Sequence, residues 1–289
     1  GPATSDNCAI STVVNDYNNT SDASDTYPVG TTTVTWTVTD NAGNSSTASQ
    51  SITVTDDESP SITAAADQTQ SADAGVCNGA VIVVGPSTSD NCSVSTVVND
   101  YNSTSDASDT YPVGTTTVTW TVTDNAGNTS ADTQDITVTD DENPSITAAA
   151  DQIQSADAGV CNGAVTVASP ITGDNCAVST VVNDYNNTSD ASDTYDVGTT
   201  TVTWTVTDNS GNTSADTQDI IVTDDENPSI TAAADQTQSA DADLCTAAVI
   251  VVGPATADNC AVETVTNDYN GTSDASDTYD VGTTTVTWT

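Results

Sequence analysis

Residues 111–128 read YPVGTTTVTWTVTDNAGN, and within them Val118, Trp120 and Val122 alternate with Thr117, Thr119 and Thr121. Successive side chains of a strand point to opposite faces, so a period of two puts the apolar set on one face and the threonines on the other. Residues 115–123 are therefore a predicted strand, rich in the β-branched types that suit a pleated surface. Ile136 and Val138 repeat the alternation against Thr137 and Thr139. The run Ala80–Val84 (AVIVV) is continuously apolar, which predicts a strand covered on both faces, and Val94–Val98 predicts another short strand. Gly, Pro, Asn and Asp punctuate these runs every 8–12 residues or so, the rhythm of a sandwich. Asp124–Asn128 reads as the hairpin between the Trp strand and the last strand.

The words VGTTTVTWT recur around Trp36, Trp120, Trp204 and Trp288, each 84 residues after the last. A fixed period in this range marks a tandem array. The acidic-proline phrases Asp56–Pro60, Asp140–Pro144 and Asp224–Pro228 punctuate it, giving expected modules at 58–141 and 142–225 and partial ones at 1–57 and 226–289. Gly1-Pro2 aligns with Gly85-Pro86 and Thr289 with Thr121, so an excerpt of a longer protein is expected.

The chain carries 42 acidic residues and no Lys, Arg or His. With no cation to neutralise a phosphate, nucleic acid is excluded as a partner, and anionic membrane surfaces with it. Acid-rich chains are often disordered, but these acids stand singly among alternating strands. Without His or Lys there is no Ser-His-Asp triad, Cys-His pair or lysine nucleophile. A carboxylate pair for glycoside hydrolysis needs a cleft, and none is legible in modules that repeat with so little change. No enzyme is expected.

The predicted module is all-β, an immunoglobulin-like sandwich of about seven strands, repeated in an extended rod. Tyr111 reads either as a tyrosine-corner contact or as a half-buried aromatic. The phrase at 27–44, 111–128, 195–212 and 279–289, with the Asp-Asn-Cys triplet and the final strand, resembles the hyalin repeat (HYR). That resemblance implies an extracellular immunoglobulin-like module of adhesion proteins, including very large surface adhesins of Bacteroidetes. The second Cys pair of many members is missing, so the family's disulfides transfer only in part.

Cysteines stand at 8, 77, 92, 161, 176, 245 and 260, spaced alternately by 15 and 69. The simplest pairing is Cys77–Cys92, Cys161–Cys176 and Cys245–Cys260, one bridge per module with Cys8 left over. The alternative uses the longer spacing and staples neighbours, as in Cys92–Cys161. Either implies an oxidising, cell-surface or extracellular compartment. A small core of Val, Ile, Ala and one Trp per module needs such a constraint, or a bound ion.

Oxygen-only acidic clusters suit calcium. The first candidate ligands are Asp56, Asp57 and Glu58; Asp140, Asp141, Glu142 and Asn143; and Asp224, Asp225 and Glu226, all at module junctions. Strand direction brings the hairpin residues Asp124, Asn125 and Asn128 toward the first junction, and Asp208, Asn209 and Asn212 toward the second. The competing reading is a solvated linker and an ordinary turn. Calcium is favoured because packed acids repel and the chain has no cation to relieve them. Asp90 and Asn91 stay unresolved, since strand direction puts them at the junction while a Cys77–Cys92 bridge pulls them away.

Asn-x-Ser/Thr sequons begin at Asn18, Asn44, Asn102, Asn128, Asn186, Asn212 and Asn270, among others, glycan acceptors in a eukaryote and incidental in a bacterium. The leading expectation is a structural stalk of a giant extracellular adhesin or surface filament, calcium-rigidified at its junctions. Its partners are then neighbouring modules, other filament chains or surface glycans. A glycan- or protein-binding module using the loop Asn99–Thr110, or an accessory region of a secreted enzyme, are the alternatives.

Overall fold

The computed structural model describes residues 1–289, with strands and no helix. The chain divides into two compact units, Gly1–Asp140 and Asp141–Thr289.

The first unit opens with β1 (Ile10–Asn15), β2 (Gly30–Asp40) and β3 (Ser45–Val54), hydrogen-bonded in that order as an antiparallel sheet. There follow β4 (Ser61–Thr63), β5 (Gln68–Ser71), β6 (Asn78–Val81), β7 (Ser87–Ser89), β8 (Val94–Asn99), β9 (Asp109–Pro112), β10 (Gly114–Asp124) and β11 (Thr129–Thr139). One layer is the four-stranded sheet β5-β11-β10-β8, in which β5 runs parallel to β11. The pairs β4–β7 and β6–β9 make up the remaining strands.

The alternation read from the sequence is the packing observed. Val118, Trp120 and Val122 on β10, and Ile136 and Val138 on β11, are at most 1% exposed. Val118, Trp120, Ile136 and Val138 meet Val81, Val83, Ala107 and Tyr111 across the sandwich. Burying each such side chain contributes about 1.5–3 kcal/mol by transfer. Two polar groups are built into this core. The Tyr111 hydroxyl donates to the Ala107 carbonyl at 2.6 Å, a tyrosine-corner contact, and its ring stacks on Tyr101 at 4.3 Å. The Gln134 amide donates to the Ala66 carbonyl at 2.9 Å, while its oxygen accepts from Trp120 Nε1 at 3.4 Å.

The run at 80–84 departs from expectation. Val81 and Val83 point inward, but Ile82 is 83% exposed and Val84 59%. The reason lies in β5, whose side chains substitute for a neighbouring strand. Gln70 Nε2 donates to the Ala80 carbonyl, Gln68 Nε2 to the Ile82 carbonyl, and the Val84 amide donates to Gln68 Oε1. The backbone is satisfied sideways, and the outer face carrying Ile82 and Val84 is left exposed. This zipper requires close approach. A Cβ on Gly79 would sit 3.1 Å from Gln70 Nε2 and 3.3 Å from Val138.

The second unit repeats the pattern with β12 (Ser145–Thr147), β13 (Gln152–Ser155), β14 (Asn162–Val165), β15 (Ile171–Gly173), β16 (Val178–Asn183), β17 (Asp193–Asp196), β18 (Gly198–Asp208) and β19 (Thr213–Thr223). Its main sheet is β13-β19-β18-β16, over a core holding Trp204, Tyr195, Ile220 and Val222. Then come β20 (Ser229–Thr231), β21 (Thr246–Val249), β22 (Ala255–Ala257) and β23 (Asp277–Asp280), paired as β20–β22 and β21–β23.

The expected cysteine pairing is corrected. Cys161 is bonded to Cys260, 99 positions away, with Cα atoms 4.6 Å apart. Cys77 and Cys176 are also disulfide-bonded, while Cys8, Cys92 and Cys245 are free thiols. Neither Cys161–Cys176, Cys245–Cys260 nor Cys77–Cys92 forms. Strand direction explains why. The Val113 amide donates to the Cys77 carbonyl just before β10 begins, whereas Asp90, two residues before Cys92, lies beside Asp124 where β10 ends. An 11-residue strand spans about 33 Å, and a disulfide needs Cα atoms within about 7 Å. The observed separation is one 84-residue period plus 15, so the bond joins one repeat to the next.

Candidate metal centre

Two turns and one linker build the site in the first unit. The hairpin after β10 closes through the Asp124 amide donating to the Asn128 carbonyl, with Gly127 at a φ of 98°. Asp124 Oδ1 accepts from the amides of Gly127 and Asn128, and its Oδ2 accepts from Asn128 Nδ2 at 2.7 Å. Asn128 Nδ2 also donates to the Asp56 carbonyl at 3.0 Å, which ties the hairpin to the linker. The turn after β7 places Asp90, whose Oδ2 accepts from the amides of Cys92 and Ser93, both at 2.8 Å. Asn91 Nδ2 reaches Asp56 Oδ1 at 3.4 Å.

Carboxylate oxygens of Asp56, Asp90 and Asp124 thus lie within 4.8 Å of one another, with Asp56 and Asp124 8% and 2% exposed. Asp56 Oδ2 and Asp90 Oδ1 are buried with no hydrogen-bond partner. Buried carboxylate oxygens without a donor are costly, and like charges at this distance repel. A hard cation relieves both. The donor set is all oxygen, the set that a hard cation takes.

The charges are tuned accordingly. Burial works against ionisation of Asp124, but the Asn128 side chain and the amides of Asn128, Gly127 and Ala126 outweigh it and hold its carboxyl below the usual value. Asp208 is lowered by the same balance, with Asn212, Gly211 and Ser210. Burial pushes the Cys92 thiol up, and the carboxylates of Asp56, Asp90 and Asp124 add to the effect.

Among the sequence candidates, Asp56 and Asp124 converge. Asp57 and Glu58 are exposed, as is Asn125. Asn128 spends its Nδ2 on positioning Asp124 and the linker. Asp90, left unresolved by the sequence, is the third member, and the abandoned Cys77–Cys92 bridge removes the objection to it. In the second unit Asp174 and Asp208, the equivalents of Asp90 and Asp124, lie within the same 4.8 Å. Asn209 is exposed there, and Asn212 bonds Asp208 as Asn128 bonds Asp124. Asp140, one period after Asp56, is 5% exposed, while Asp141, Glu142 and Asn143 are exposed. Asp224 is exposed. Its neighbours bond the loop before Cys161: Ser155 Oγ donates to Asp225 Oδ2 at 2.7 Å and the Gly159 amide to Glu226 Oε2 at 3.0 Å.

The HYR domain family matches residues 1–54 and 55–138. These matches support hyalin-repeat modules. The two matched segments meet just before Asp56. The chain is 28% identical to hyalin of Lytechinus variegatus over 273 residues, covering 91% of this chain and 50% of that protein. It is 29% identical to hyalin of Strongylocentrotus purpuratus over 194 residues, covering 65% and 16%. The chain thus spans half or less of these relatives. Among solved structures, it is similar to extracellular cadherin domains 3–6 of protocadherin gammaB7 at 16% identity, with a TM-score of 0.34 over 83% of this chain and 71% of that one. No helix is long and apolar enough to cross a membrane. The disulfides place the HYR-like repeats in an oxidising, extracellular setting.

Proposed function

We propose that this chain is a non-catalytic stalk segment of a large extracellular adhesin or surface filament, of the bacterial type that the sequence resemblance implies, in which calcium stiffens the links between consecutive repeats. The HYR matches and the hyalin relatives support an extracellular adhesion-type repeat module. The repeats are taken as 1–57, 58–141, 142–225 and 226–289. The observation that carries the calcium reading is the meeting of Asp56, in the linker, with Asp90 and Asp124, in the following sandwich, with buried oxygens left unpartnered. A cation held by all three fixes the linker against the next repeat. The partners are then the neighbouring repeats first, with other filament chains or surface glycans as further candidates.

Small-angle scattering of the intact chain tests this reading. Calcium is expected to narrow the distribution of inter-repeat angles and chelator to broaden it. Profiles identical in calcium and chelator would sink the proposal.

A further inference from the structure

Consecutive repeats of the second unit are joined twice. The backbone leaves β19 at Thr223 and enters β20 at Ser229. The other link is the bond between Cys161, in the loop from β13 to β14, and Cys260, in the Asp-Asn-Cys turn after β22. The two links run side by side. Ser155 Oγ, at the end of β13, and the Gly159 amide donate to Asp225 and Glu226 of the backbone linker, while Asn259 Nδ2 donates to the Val160 carbonyl. The span of 99 positions from one bonded cysteine to the other holds β14 to β22, with the buried Trp204, Ile220 and Val222 among them. Of the strands around that core only β12 and β13 precede Cys161.

This connectivity decides where tension goes. β13 pairs parallel with β19, from Gln152 opposite Ile220 to Ser155 opposite Thr223. In a chain without the bond, a pull that enters ahead of β13 and leaves behind β19 drags the two strands past each other. Each hydrogen bond between them is worth only about 0.5–1.5 kcal/mol net. Once they part, the core strands unravel in turn, because every residue lies in the line of pull. With the bond in place, tension reaching Cys161 crosses to Cys260 over Cα atoms 4.6 Å apart. The backbone between them is a closed loop whose ends are held together, and it bears no end-to-end tension while the bond is intact.

We propose that the Cys161–Cys260 bond is a tension bypass. It carries a pull around the sandwich built on Trp204, so that stretching draws out only the chain before Cys161 and after Cys260 and leaves the enclosed core unloaded. This rests on the stalk reading above, since only a chain pulled along its length uses such a path. The same bond keeps the chain continuous when the exposed linker at Asp224, Asp225 and Glu226 is cut.

The test is stretching of single intact chains by peptide tags at their two ends, with and without dithiothreitol, in calcium and in chelator. Cys77 and Cys176 are also bonded, so a C77S/C176S variant keeps Cys161–Cys260 as its one crosslink. Fully stretched, the oxidised variant is expected to fall short of the reduced one by 99 residues, about 340 Å of extended chain. Adding C161S is expected to abolish the difference. The oxidised wild-type chain is expected to fall short of its reduced form by at least as much, which keeps the answer independent of how the variant folds. Equal final lengths for the oxidised and reduced wild-type chain overturn the bypass. Calcium stiffening shows in the unfolding forces and not in this length, so the two readings fail separately.

Discussion

Cys161 and Cys260 are joined across 99 positions, one repeat period plus 15 residues, and the Asn259 side chain donates to the Val160 carbonyl at 3.2 Å beside them. The turn after one sandwich's opening strands is thereby fixed to the far end of the sandwich before it. Disulfide mapping checks this pairing directly. The chain has no Lys or Arg for trypsin, so an Asp-directed protease is required. A cross-linked peptide pair holding Cys161 and Cys260 is expected, and recovery of Cys161–Cys176 contradicts the fold.

Opening that bond has an energetic consequence. A C161S substitution releases a loop of 99 residues, worth up to about 4.7 kcal/mol in the chain-entropy model. The urea midpoint of the second unit should fall clearly. An unchanged midpoint means the crosslink adds nothing to the folded state.

The edge run at 80–84 offers a contrast between neighbours. I82T places on the first unit the residue found one period later, Thr166, and at 83% exposure is expected to change stability by no more than about 0.5 kcal/mol. V81T buries a hydroxyl at a 4% exposed site and should cost about 1–3 kcal/mol. Equal effects at the two positions are inconsistent with the one-sided layer described above.

Much of this was legible in the sequence because a period of two reports directly which face is buried. Val118, Trp120 and Val122 needed nothing else. The run AVIVV misled because apolar composition cannot show that Gln68 and Gln70, ten or more residues away, occupy the edge of that strand. The cysteines misled for a related reason. Spacing by 15 looks local, but β10 separates the two ends by its whole length, and the pairing follows from stacking of consecutive repeats. The acidic cluster was half legible: the junction phrase pointed to Asp56 and strand direction to Asp124, while Asp90 stayed unresolved because of the mistaken bridge.

Protonation supplies a further test. The carboxyls of Asp124, Asp132, Asp208 and Asp216 are all held below their usual value. For Asp132 and Asp216 the amides of Ala64 and Ala148 are the chief cause. A group whose folded pKa is depressed adds stability above its unfolded value, near 3.8, and loses it as pH falls through the folded value. In chelator, the urea midpoint should therefore be steady above pH 5 and fall below about pH 4. Tyr111 and Tyr195 act at the other end. Burial pushes both up to about 12, so their contribution is complete below pH 10 and is lost between about 10 and 12. Absorbance titration of the phenols should show a late-ionising pair coincident with alkaline unfolding; uniform ionisation near pH 10 runs against their burial.

The most direct test of the central claim is calorimetric melting of the intact chain in calcium and in chelator, repeated for D56N, D90N and D124N. Ligand bound only by the folded state raises the melting temperature in proportion to its affinity. A calcium-dependent rise that shrinks in all three variants is the predicted result. Identical melting of the wild-type chain in calcium and in chelator contradicts the account.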